Sequence, residues 1–109
     1  MNRRIKQVNE LIKQELSQII LRKIDFPEGV LVTVTRAETS PNLIQVKVFV
    51  SVIPESQGKK VLRLLNKEIF GLQQEINKRL KMRPVPKIKF IEEKQTQEAA
   101  KIEAILEKI

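Results

Sequence analysis

The sequence predicts an α+β domain with its helices on one face of a small sheet. Apolar residues recur at three-and-four spacing in residues 5–20, 61–80 and 102–109, which is the signature of amphipathic helices. Residues 30–35, 44–52 and 85–91 alternate apolar with polar instead, as strands with one buried face do. The two kinds of run do not alternate regularly along the chain, which indicates α+β.

In the first segment Ile5, Val8, Leu11, Ile12, Leu16, Ile19 and Ile20 share a helical face. Arg3, Arg4, Lys6, Lys13, Arg22 and Lys23 lie mostly off it. The pattern ends near Lys23, before Asp25-Phe26-Pro27-Glu28-Gly29, whose Pro and Gly mark a loop. The first strand places Val30, Val32 and Val34 on one face. The second places Ile44, Val46, Val48, Val50 and Val52 on one face, with Gln45, Lys47 and Ser51 on the other. Thr39-Ser40-Pro41-Asn42 is turn chemistry, so the pair is expected to be an antiparallel hairpin. Pro54 closes the second strand.

Ser56 is the expected N-cap of the next helix, whose apolar face is Val61, Leu64, Leu65 and Ile69. The spacing continues through Leu72, Ile76 and Leu80 and ends before Pro84. Glycine inside a helix costs about 1 kcal/mol relative to alanine, so a kink or break is expected near Gly71. In the third strand Ile88 and Phe90 alternate with Lys87 and Lys89. Ile102, Ile105, Leu106 and Ile109 give residues 97–109 helical spacing. With 109 residues and no low-complexity linker, one domain is expected: residues 1–92 as the main unit and 93–109 as a helical extension packed on it or tethered to it.

The charge is concentrated. From residue 56 to 89 ten Lys/Arg face only Glu68 and Glu75, giving +8 over 34 residues. The other 75 residues hold eleven cations and eleven acids. Such confinement reads as a footprint for a polyanion, most simply nucleic acid, rather than charge spread for solubility. Lys59, Lys60, Arg63 and Lys67 gather at helical spacing. Lys78, Arg79, Lys81 and Arg83 crowd the end of the following helix, where part of their role is to complement its dipole. Lys87 and Lys89 follow, and Arg3 and Arg4 extend the candidate RNA-binding set at the N-terminus.

Only four aromatic residues are present, all Phe, and Phe90 is assigned to the core. A sheet face that stacks exposed bases is therefore not expected, and binding should rest on phosphates and backbone shape. There is no His, Cys, Tyr or Trp, and the three glycines form no phosphate loop. An enzyme, a metal site and a cofactor are accordingly not expected. No apolar run reaches the roughly 18 to 20 residues of a membrane span, and no secretory signal opens the chain. The absence of cysteine fits a reducing cytoplasm.

Several segments together resemble the bacterial ribosome-binding factor A family. They are Val8-Asn9-Glu10-Leu11-Ile12, Val32-Thr33-Val34-Thr35, Ser40-Pro41-Asn42-Leu43, Val46-Lys47-Val48-Phe49-Val50-Ser51, and Lys78-Arg79-Leu80-Lys81-Met82-Arg83-Pro84-Val85-Pro86 running into Ile88-Lys89-Phe90. The resemblance covers about residues 3 to 92. It implies a type II KH-like domain (helix-strand-strand-helix-kink-helix-strand) lacking the GxxG loop, followed here by a C-terminal helix. The family has an Ala-x-Gly kink between its central helices; here Ile69, Phe70 and Gly71 stand there, with Ile in place of Ala. The resemblance further implies a non-enzymatic, cytoplasmic assembly factor that binds the immature 30S subunit through 16S rRNA. It would assist late maturation and growth in the cold, acting as a monomer when free, with no membrane or small-molecule partner. Two other readings stay open: a structured-RNA binder without ribosome preference, and an adaptor for an acidic protein partner.

Overall fold

The computed structural model describes residues 3–94. In order, the elements are α1 (Arg3–Lys23), β1 (Leu31–Thr39), β2 (Gln45–Ile53), a 3-10 turn (Glu55–Gln57), α2 (Gly58–Lys67), α3 (Ile69–Arg79) and β3 (Lys87–Glu92). The helix expected at residues 97–109 lies outside the described residues. α1 buries Val8, Ile12, Leu16, Ile19 and Ile20, as its periodicity requires, whereas Leu11 sits on the flank at 42% exposure.

The sheet order is β1-β2-β3. β1 and β2 form the expected antiparallel hairpin, and β3 pairs with β2 in parallel after the crossover through α2 and α3. The hairpin turn carries Leu43 at φ 62, with Ser40 and Asn42 side chains satisfying the backbone N–H groups of Gln45 and Ile44. β1 runs four residues further than its first alternating stretch suggests. A bulge between Val34 and Arg36 reverses the phase, so that Val32 and Val34 face inward before it and Ala37 and Thr39 after it.

All three helices pack on one side of the sheet: α1 over β1, α2 over β2 and β3, and α3 against α1 and β3. The core between the layers is made of Val46, Val48, Val50 and Val52 from β2, Ile88 and Phe90 from β3, and the buried faces of the helices, including Val61, Leu65, Leu72 and Ile76. At roughly 1.5–3 kcal/mol for each fully buried aliphatic or Phe side chain, this burial is the main favourable contribution to folding. Among the described residues no helix covers the other side of the sheet, its outer face.

Ser56 does not cap α2. It lies within the 3-10 turn, and Gln57 occupies the cap position without a side-chain hydrogen bond. Instead the Glu92 side chain reaches the first residue of α2, so closely that a Cβ on Gly58 would overlap its carboxylate. An anion there complements the helix dipole.

Candidate nucleic-acid interface

Because Val61 and Leu65 must face the sheet, Lys59, Lys60, Arg63 and Lys67 are turned outward, and all four are exposed. Lys59, Arg63 and Lys67 form a row at intervals of four residues, about 12 Å long at the helical rise. Among the described residues none of these four cations has an ion-pair partner.

The second cluster is less available than its charge suggests. Arg79 donates to Glu15 Oε2 of α1 at 2.9 Å, and Arg83 donates to the Leu80 and Met82 carbonyls at 2.7 Å each. These side chains tie the chain together after α3. Lys78 and Lys81 carry the same charge, and Lys81 is exposed. Arg4 joins this cluster, lining a cavity of about 470 Å³ with Gln7, Leu11, Arg79, Lys81 and Met82. Arg3 faces a neighbouring hollow of α1. Of the two acids in the basic stretch, Glu75 is engaged by Lys23 at 3.3 Å. That hydrogen bond and the charge of Lys23 hold the Glu75 carboxyl below its ordinary range, with Lys78 and Arg79 adding to the effect.

Lys87 and Lys89 fall on a different surface. Ile88 and Phe90 point into the core, so strand alternation sends both lysines to the outer face of the sheet. The candidate residues therefore do not make one patch: α2 presents its row from the helical layer, and β3 presents its lysines on the opposite side. On that side Lys89 is the register partner of Lys47, and Lys87 of Gln45. Lys47 lies outside the basic stretch of sequence, and only the parallel pairing brings it into the site.

The interruption between the central helices falls at Glu68 (φ −97, ψ 5), immediately before Ile69 and earlier than the break expected near Gly71. Gly71 lies in the first turn of α3 with open space around it. Phe70 is 73% exposed and lies one turn beyond Lys67.

The Ribosome-binding factor A family model matches residues 4–106. The chain belongs to the ribosome-binding factor A family. The protein of that name from Brevibacillus brevis is 40% identical over 107 residues, spanning 97% of this chain and 88% of its own. The crystal structure of ribosome-binding factor A from Thermus thermophilus superposes with a TM-score of 0.71 at 24% identity, over 81% of this chain and 93% of that one. A homology model of the Thermus thermophilus protein, fitted into the cryo-EM map of a 30S complex with it, gives a TM-score of 0.65 at 24% identity, over 76% of this chain and 88% of that one. The helix-strand-strand-helix-helix-strand order is that family's KH-like fold, and Gly29, Gly58 and Gly71 provide no GxxG loop.

Proposed function

We propose that this chain binds the immature 30S subunit through 16S rRNA and assists its late maturation, without catalysing a reaction. Membership of a family named for ribosome binding supports the target, as does the fitted 30S complex of the Thermus thermophilus relative. The observation that carries the RNA contact is the outward-facing row of Lys59, Lys60, Arg63 and Lys67 along α2. Such a row tracks phosphates without reading base sequence. Exposed Phe70 beside it offers an apolar surface at the helix break. In this reading residues 1–92 form the binding unit, acting in the cytoplasm as a single copy that holds one rRNA conformation until maturation is complete.

Co-sedimentation with immature and mature 30S particles across a salt series tests this. Wild type should bind the immature particle in a salt-sensitive way and prefer it to unrelated structured RNA. Neutralising the four α2 cations should reduce the log–log salt slope by roughly 0.7 to 0.9 for each phosphate they no longer neutralise. Binding indifferent to those four residues would remove α2 from the interface, and equal affinity for unrelated RNA would leave a generic RNA binder.

A further inference from the structure

The scarcity of aromatic residues argues against base stacking on the sheet, yet the outer face holds a planar group that a count of aromatics misses. The Arg36 guanidinium lies over the Phe49 ring, 3.9 Å from its centroid, on adjacent strands in direct register. Two carboxylates hold it there. Arg36 Nε donates to Glu93 Oε1 at 3.0 Å, and Nη1 donates to Glu38. The Thr35 hydroxyl in turn donates to Glu93, anchoring that carboxylate to the bulge. The Arg36 side chain remains 50% exposed, so one face of its plane rests on Phe49 while the rest meets solvent.

Beside this stack stand Lys47 and its register partner Lys89, with Lys87 in the next row. Lys47 precedes Phe49 by two residues on the same face, about 6.6 Å along the strand. Among the described residues the three lysines have no ion-pair partner, whereas both nearby acids are already engaged by Arg36. An acidic protein would find charge here but no use for a pinned, outward-facing plane. A nucleotide uses both.

We infer that the outer sheet face is a second RNA site, which takes one unpaired base stacked on Arg36 and its flanking phosphates on Lys47 and Lys89. Guanidinium planes stack on splayed bases as aromatic rings do. Holding the plane before the base arrives reduces the ordering cost of binding. The inference rests on the RNA reading above and deepens it: α2 contacts structured backbone, and the sheet takes a single-stranded segment.

The test is fluorescence anisotropy of the full chain with a short oligoadenylate and with an abasic oligomer of the same length. Wild type should favour oligoadenylate. Arg36→Lys keeps the charge and loses the plane; it should weaken oligoadenylate binding about 5- to 150-fold, the range for removing one stacked base, and leave the abasic oligomer unchanged. Substituting Lys47→Gln together with Lys89→Gln should weaken both oligomers alike. A fluorescent aminopurine in the oligomer should lose emission when bound to wild type, a readout that needs no variant to fold. Unchanged emission at saturation, or an Arg36→Lys protein that binds oligoadenylate like wild type, overturns the stack. A wild type that ignores the bases but still co-sediments with 30S particles also overturns it and leaves the proposed function standing.

Discussion

Gln73 of α3 accepts the backbone N–H of Ile88 in β3, at 2.9 Å to its Oε1, while its amide nitrogen donates to the Pro86 carbonyl at 3.1 Å. β3 is an edge strand. Lys87 already donates to Ile44 on the β2 side, so the Ile88 N–H points to the open edge. One side chain from the helical layer thus satisfies the first edge-facing N–H of the strand that carries Lys87 and Lys89, and covers that end of the edge against pairing with another chain.

Gln73→Ala should therefore destabilise the fold by about 1–3 kcal/mol, because it leaves a part-buried N–H without a partner. Gln73→Glu keeps the acceptor for Ile88 and loses the amide nitrogen's bonds to the Pro86 carbonyl and Asn77 Oδ1, so it should cost less. Urea unfolding of the two variants, with unchanged slope against denaturant, checks the order.

Arg79 and Lys81 are two residues apart and should behave differently. Arg79 is bound to Glu15 between α3 and α1, whereas Lys81 is exposed. Arg79→Gln should lower stability by about 0.2–1 kcal/mol, as loss of a partly exposed ion pair does, and change the salt slope of 30S binding little. Lys81→Gln should do the reverse. Thermal melts and salt titrations of both proteins separate the two roles.

The glycines divide in the same way. Gly29 has φ +81, where a side chain is strained, and Gly29→Ala should cost about 1–2 kcal/mol. Gly71 is in helical backbone with open space where a Cβ would go, and Gly71→Ala should stabilise by about 0.4–1 kcal/mol. Chemical denaturation measures both, and a loss of stability in Gly71→Ala would show that the position has a backbone requirement.

The elements that follow one period throughout were legible in the sequence. α1 and the inward faces of β2 and β3 are examples, because the spacing of Ile12, Leu16 and Ile19, or of Val46 to Val52, has one solution that buries a continuous face. The far half of β1 was hidden because the bulge at Thr35 breaks the alternation. The interruption at Glu68 left no mark either: Val61, Leu65, Ile69, Leu72 and Ile76 keep helical spacing straight across it. The cost of Gly71 is small enough for α3 to absorb. Candidate cations were visible as residues but not as surfaces. Nothing local says that Arg79 and Arg83 bind protein groups, or that Lys87 and Lys89 emerge on the opposite face from α2. Lys47 and Arg36 join them only through strand pairings made far along the chain.

The parallel pairing of β3 with β2 has a kinetic consequence. Lys47 and Lys89 become neighbours only once β3 pairs with β2, a contact between residues 42 positions apart in the sequence. Non-local closures of this kind are slow to form. A chain emerging from its own ribosome can assemble α1 and the β1–β2 hairpin while the lysine row does not yet exist. The cationic row is therefore present only on the finished domain, so an unfinished copy approaching an rRNA lacks the sheet surface that a complete one carries.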